Sequence, residues 1–165
     1  MAMGSYEVEA HARAPIAVVW EVFADAPGWK QWAGITAREA SWAREGDDPP
    51  GGVGAVRRLG SPPFCSDEEI LEWAPPHHMA YTILKGFPVR GYHSDLDLVE
   101  DGEATRIRWT GGFEPKIPGT ATLISWFLHR FLGSYARKAA AQAERHHQAA
   151  TRPPVAERGQ MNAGR

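Results

Sequence analysis

The stretch PGTATLISWFLHRFLGSYARKAAAQAERHHQ, residues 118–148, decides the fold. Between Leu123 and Leu132 it carries seven aromatic or large apolar side chains, and an alanine-rich run follows. The spacing predicts one long helix starting near residue 120, ~43 Å long at 1.5 Å per residue. Ile124, Leu128, Phe131 and Tyr135 share a stripe with Phe127 and Leu132, which predicts the face buried on a neighbour. Thr122, Trp126, His129 and Gly133 form the next stripe, at the apolar boundary. The residues before this helix read almost entirely as strands. A sheet and a greasy helix then bury each other's apolar faces. The wide aromatic stripe predicts a helix lying across a curved sheet, with a cavity between them.

The strands nearest the helix define that sheet. In 91–100, Tyr92, Ser94, Leu96 and Leu98 point one way and His93, Asp95 and Asp97 the other. In 104–113, Ile107, Trp109, Gly111 and Phe113 face one side and Arg106 and Arg108 the other. One wet and one buried face is the pattern of an antiparallel sheet covered on a single side. Asp101-Gly102 signals the tight turn between them. On the wet face, Asp95 or Asp97 could pair with Arg106 or Arg108, each such pair worth only ~0–1 kcal/mol. Runs at 35–44, 53–59, 65–73 and 79–86 read as further strands, punctuated by GDDPPGG, SPPF, Pro75-Pro76 and Phe87-Pro88. A ten-residue strand spans ~33 Å, so the helix is long enough to cross the sheet. At the start, 6–12 reads as a strand. Pro15 opens a helix with Ile16, Val19, Trp20 and Phe23 at helical spacing. Pro27-Gly28 ends it, and the four residues from Trp29 to Trp32 read as a second short helix.

Composition narrows the function classes. A chain of 165 residues is expected to form one domain, spanning 4–149, with a disordered tail over 150–165. A net charge of −2 supplies no basic field for nucleic acid. Arg57-Arg58 reads as the solvated end of a strand, and Asp67-Glu68-Glu69 as a solvated edge. The single cysteine, Cys65, permits no intrachain disulfide and fits a reducing, cytoplasmic location. The acidic run beside it works against a catalytic thiolate. The first residues lack a basic start followed by an apolar run, which argues against a secretory signal. No stretch reaches the ~18 apolar residues of a membrane span, so integral membrane association is not expected. His77-His78 and His146-His147 have no partner at metal-ligand spacing, and no glycine-rich loop is placed to cradle a phosphate. Ser125 and Ser134 lack a nucleophile-elbow context. No metal and no cofactor are expected.

The element order is strand, helix pair, six strands, long helix. Together with APIAVVWEVFADAPGWKQW (14–32), EEILEWAPPHHMAYTILKGFPVRGY (68–92) and GEATRIRWTGGFEP (102–115), it resembles the SRPBCC superfamily. That superfamily joins START-type lipid-transfer domains, birch-pollen-allergen-like proteins and polyketide cyclases. The resemblance is closest to the polyketide cyclase/dehydrase-like branch and covers about residues 4–148. It implies an α+β helix-grip fold. A curved antiparallel sheet of about seven strands wraps the C-terminal helix, and two short helices follow the first strand.

The resemblance also implies a pocket lined by the inward faces. From the alternation those are Tyr92, Ser94, Leu96, Ile107, Trp109 and Phe113, with Tyr81 from the next strand. Trp29 and Trp32 are expected near the mouth, and Trp126 and His129 at the helix boundary. A pocket of this kind is mostly apolar with few polar anchors. The expected partner is a hydrophobic small molecule: a lipid, an isoprenoid or a polycyclic polyketide. A cyclase or dehydratase would instead need polar groups converging there, for which Tyr81, Tyr92, Ser94 and His129 are the candidates. A protein-interaction or stress-response module without a ligand is the third possibility, marked by an exposed apolar patch.

Overall fold

The computed structural model describes residues 3–153. β1 (Gly4–Ala12) leads into α1 (Ile16–Ala24), α2 (Trp29–Trp32) and a turn of 3-10 helix (Gly34–Ala37). Six strands follow: β2 (Glu39–Arg44), β3 (Val56–Ser61), β4 (Phe64–Ala74), β5 (His78–Lys85), β6 (Val89–Asp101) and β7 (Ala104–Pro115). α3 (Ala121–Thr151) closes the chain. The seven strands form one antiparallel sheet in the order β1-β7-β6-β5-β4-β3-β2. The first strand thus lies beside the last, and α3 packs on β1, β7 and α1. This is the α+β helix-grip arrangement.

Each element follows from its residues. In β1 every second side chain is buried, so Tyr6, Val8, Ala10 and Ala12 face α3. Pro15 stands at the N-cap of α1, where its missing N–H costs nothing. α1 buries Ile16, Val19, Trp20, Val22 and Phe23. In α3 the buried face changes character along its length. Leu128, Leu132 and Tyr135 are followed by Ala136, Ala139, Ala140 and Ala143. The alanines let the second half approach its neighbours closely, while the bulky first half stands off the sheet.

β1 and β7 meet through two glycine–aromatic pairs. Gly4 lies opposite Phe113, and Gly111 opposite Tyr6. A Cβ on Gly4 would fall 2.2 Å from Phe113 Cζ, and one on Gly111 would fall 2.3 Å from Tyr6 Oη. The missing side chains leave room for each ring to lie over the opposing strand.

Several expectations are corrected. Residues 34–37 form the 3-10 turn, not the start of a strand. Gly34 takes φ +77° there, and Thr36 Oγ1 donates to Ala33 O at 3.1 Å. β3 starts at Val56 because Gly54, at φ +83°, still turns. The Asp–Arg pairs that could form across β6 and β7 do not. Arg108 turns instead to Glu7 on β1 at 2.9 Å, and Asp97 takes His78 Nδ1 at 2.8 Å. α3 runs to Thr151, past the expected start of the tail, and the tail's remaining residues, 154–165, lie outside the described residues. Ile124 and Phe131 are only half-buried, and Phe127 is exposed.

The largest correction concerns charge. Arg57 is no solvated strand end, for its residue exposure is 2%. Asp67 and Glu68 are buried too, because β4 lies between β3 and β5 inside the sheet. Asp67 points outward to Arg58 (2.7 Å) and Lys85 (2.9 Å), and these hold its carboxyl below the usual range. Glu68 points the other way.

Candidate functional site

Between the sheet and the bulky half of α3 lies a cavity of about 560 Å³. Leu128, Phe131 and Leu132 of α3 form one wall, and Leu59 and Ile83 of the sheet face them. Aromatic rings from α2, β5, β6 and β7 add to the lining: Trp29, Tyr81, Tyr92 and Trp109. Trp29 packs edge-on to Phe23, Trp109 and Tyr135, with centroids 6.2, 6.4 and 5.6 Å away. These contacts fix the rings before any ligand arrives.

An ion pair sits in this apolar wall. Arg57 and Glu68 are directly opposed on β3 and β4. Arg57 Nε donates to Glu68 Oε2 at 2.8 Å. The guanidinium lies between two rings, 4.8 Å from the Trp29 centroid and 4.7 Å from that of Tyr81. Its Nη1 meets Met79 Sδ at 3.9 Å, and Ser66 Oγ donates to Glu68 Oε1 at 3.3 Å. Among the described residues Nη2 has no hydrogen-bond acceptor. The pair is thus oriented by protein contacts and keeps the Nη2 amino group in reserve.

A hydroxyl network lies beside it. Tyr6 Oη is 2.5 Å from Tyr92 Oη and 2.7 Å from Ser94 Oγ. Ser94 Oγ donates to Thr110 O at 3.1 Å. Each hydroxyl has one proton, which fixes the direction. Ser94 spends its proton on Thr110, so Tyr6 donates to Ser94 and Tyr92 donates to Tyr6. Trp109 Nε1 donates to Ser94 Oγ at 2.9 Å and Tyr81 Oη at 3.2 Å. Tyr81 Oη thus accepts from Trp109, and its own O–H belongs to the same network, beside Ser94 and Tyr92. Burial pushes the Tyr81 hydroxyl up to about 12, and the Glu68 charge adds to the effect. Burial also raises Tyr6 and Tyr92 well above the usual phenol value. All three stay protonated near neutrality and act as donors, not as bases.

The structure distributes the expected residues unevenly. Trp29, Tyr81, Tyr92 and Trp109 line the cavity. Ser94 is fully buried behind them as the hub of the network. Trp32, Leu96, Ile107 and Phe113 belong to the core behind the lining. Trp32 packs on Trp29 at 4.6 Å, and its Nε1 is buried without a partner among the described residues. Trp126 and His129 lie on the outside of α3, along a shallow groove beside β1 and β7. His129 Nδ1 donates to Glu7 O at 2.8 Å.

Sequence reasoning passed over Arg57, Glu68 and Tyr6. Strand alternation carries their signal: Arg57 stands two residues before Leu59, Glu68 two before Ile70, and Tyr6 two before Val8. Among the described residues no group of three or more His, Cys, Asp and Glu side chains is set to hold a metal ion. Among the same residues no helix is long and apolar enough to cross a membrane.

A family model described as polyketide cyclase / dehydrase and lipid transport matches residues 3–147. The chain belongs to this family. No curated protein matches it in sequence. Among solved structures it is similar to the Zhui aromatase/cyclase of a Streptomyces species, at 19% identity and TM-score 0.72, covering 91% of this chain and 99% of that one. Norcoclaurine synthase of Thalictrum flavum, solved with dopamine and hydroxybenzaldehyde, is 15% identical with TM-score 0.69, and the match covers 88% of each chain. A Thermobifida fusca protein is 25% identical with TM-score 0.63, covering 86% of this chain and 92% of that one. The first two likenesses speak for the shared helix-grip fold.

Proposed function

We propose that this family member carries or sequesters a hydrophobic small molecule with one oxygen-bearing end, in the cavity between sheet and α3. The observation that carries this reading is the buried Arg57–Glu68 pair set among aromatic rings. Flat rings suit a polycyclic or isoprenoid body. Arg57 Nη2 and the Tyr81 O–H, once it turns from the network to the ligand, supply donors for a carbonyl or phenolate oxygen, and Glu68 supplies an acceptor for a neighbouring hydroxyl. A polycyclic polyketide or similar hydroxyketone satisfies all three. Trp29, Tyr92 and Trp109 contribute the stacking surface, with Ser94 orienting Trp109. The lone cysteine, Cys65, suits a reducing, cytoplasmic setting.

Native mass spectrometry of the expressed protein, followed by solvent extraction, identifies any resident ligand. Titration with quercetin, a planar hydroxyketone, follows binding through tryptophan fluorescence. Tyr81→Phe and Arg57→Lys each weaken it about tenfold, the worth of one hydrogen bond of ~1–1.5 kcal/mol. A chain that binds neither quercetin nor any extractable lipid would overturn the reading.

The same groups support a second reading, a polyketide cyclase or dehydratase. Glu68 offers a proton acceptor, and the Tyr81 O–H a donor to an oxygen on which charge develops. On this reading Glu68→Gln abolishes turnover of a poly-β-ketone substrate while quercetin still binds. Turnover that survives both Glu68→Gln and Tyr81→Phe would eliminate it.

A further inference from the structure

One member of the hydroxyl network stands outside the cavity. Tyr81, Tyr92 and Trp109 line the cavity, whereas Tyr6 lines the shallow groove beside β1 and β7. The Tyr6 hydroxyl reaches the network because Gly111, opposite it on β7, has no side chain. There Tyr6 Oη meets Tyr92 Oη at 2.5 Å and Ser94 Oγ at 2.7 Å. Tyr6 is buried, and a phenylalanine would fill the same space with no polar group to satisfy. Its hydroxyl acts through the two groups that it touches.

The order of protons makes the two cavity phenols unlike. A serine or tyrosine hydroxyl has one proton and can accept through two lone pairs. Thr110 O only accepts, so Ser94 donates to it. Both Ser94 lone pairs are then taken, one by Trp109 Nε1 at 2.9 Å and one by the Tyr6 O–H. With its proton on Ser94, Tyr6 meets Tyr92 through a lone pair, and the Tyr92 proton lies on Tyr6. The protons run one way, from Tyr92 through Tyr6 and Ser94 to Thr110 O. Ser94 has no lone pair left for Tyr81, whose O–H faces either Tyr92 or a ligand oxygen. Tyr81 can therefore turn a proton to a ligand, while Tyr92 can only accept one.

We propose that Tyr6 is a positioning residue, which from outside the cavity fixes the Tyr92 hydroxyl as an acceptor for a ligand hydroxyl. This rests on the carrier reading and narrows its ligand. Arg57 Cζ lies 4.7 Å from the Tyr81 ring, and the Tyr81 and Tyr92 rings are 6.0 Å apart. The ligand hydroxyl on Tyr92 and the ligand oxygen on Arg57 and Tyr81 thus belong to the same end of one molecule. An ether in place of that hydroxyl sets lone pairs against lone pairs with no proton between them. Turning the Tyr92 O–H to meet it would leave the buried Tyr6 oxygen without a donor.

The test is titration calorimetry of the full chain with monohydroxyflavones, the hydroxyl at each ring position in turn, each compared with its methyl ether. At one position or more the hydroxyl form binds about tenfold more tightly, as one hydrogen bond predicts. Tyr6→Phe takes away the acceptor of the Tyr92 proton and frees that proton for the ligand. At the same position the methyl ether then binds about three- to tenfold more tightly than before, and the preference shrinks to match. Tyr92→Phe also removes the preference but does not tighten the methyl ether. A purely structural role for Tyr6 would weaken both members of a pair alike and keep their ratio. Circular dichroism confirms that each variant folds. NMR of the ligand-free chain with carbon-13 tyrosine assigns the hydroxyl proton between Tyr6 and Tyr92 to Tyr92. An unchanged ratio in Tyr6→Phe overturns the proposal, as does a preference that survives Tyr92→Phe, or a shared proton that belongs to Tyr6. If no flavone binds while that proton is found on Tyr92, the carrier reading fails and Tyr6 still orders the Tyr92 hydroxyl.

Discussion

Replacing Arg57 by Met removes the cation from the cavity wall and strands the Glu68 carboxylate. Breaking a buried pair from one side costs ~3–5 kcal/mol, chiefly through the charge left behind. Glu68 borders a cavity that water can enter, which places the expected loss near the lower limit, about 3 kcal/mol. Arg57→Lys keeps the charge but loses the flat stack between Trp29 and Tyr81. With one cation–π contact of ~0.5–2 kcal/mol weakened on each face, the expected loss is about 1–2 kcal/mol. Glu68→Gln leaves Arg57 with a neutral acceptor and costs about 1–2 kcal/mol, the difference between a charged and a neutral hydrogen bond. Arg57→Met with Glu68→Gln strands no charge, so the double variant falls well short of the summed losses. The coupling energy is expected near 2 kcal/mol, within the range for contacting residues. Urea unfolding of all four proteins measures it, with constant slopes confirming that the same surface is exposed. Single losses that add to within ~0.5 kcal/mol would refute the reasoning, because independent sites behave that way.

Three further outcomes follow from the geometry. Gly111→Ala drives a methyl into Tyr6, whose hydroxyl is held by Tyr92 and Ser94, and lowers stability by ~1–3 kcal/mol in thermal unfolding. Gly112→Ala, whose Cβ would meet only Gly4 O at 3.7 Å, is the mild comparison. Burial alone would lower the His78 pKa, but hydrogen bonding and charge from Asp97, with Glu72 and Asp95 adding theirs, hold it above the usual value. A raised folded pKa gives stability that is complete below the unfolded value of ~6.5 and lost as pH rises through the folded one. Stability should therefore decline above about pH 6.5 by no more than ~1 kcal/mol after solvent screening, and His78→Gln should flatten that decline. Trp126→Ala and His129→Ala should leave quercetin affinity unchanged, because both residues lie outside the cavity lining.

The inward face of β6 and β7 is legible because period-two alternation is strong there: Tyr92, Ser94, Leu96, Ile107, Trp109 and Phe113 are all buried. The same rule places Arg57 beside Leu59 and Glu68 beside Ile70. Formal charge alone argued for solvent, and a charge on one strand says nothing about a partner on another. The pair becomes visible only with the register of β3 against β4. Helix rotation was the other hidden quantity. The stripe through Ile124 and Phe131 and the stripe through Trp126 and His129 are both apolar enough to be buried. The choice between them depends on which faces β1 and α1 occupy. At residues 34–37 the backbone turns at Gly34, against the apolar pattern that suggested a strand.

The energetics of the cavity constrain the proposed ligand further. The cavity of about 560 Å³ is open to solvent, since exposed Ile35 and Phe64 are among its lining. Water must therefore fill it whenever a ligand does not, and Arg57, Glu68 and Tyr81 are the groups able to hold that water. A plain hydrocarbon displaces the water and satisfies none of these groups, at ~1–3 kcal/mol for each one stranded. That loss offsets much of the gain from burying the chain. A ligand with a carbonyl and a hydroxyl at one end inherits the water's hydrogen bonds and keeps the apolar gain. The ion pair itself does little that β3 and β4 require, since apolar residues in its place are often neutral or stabilising by ~1–4 kcal/mol. On the proposed carrier function, its place in the wall would select against simple lipids and in favour of oxygenated ring systems.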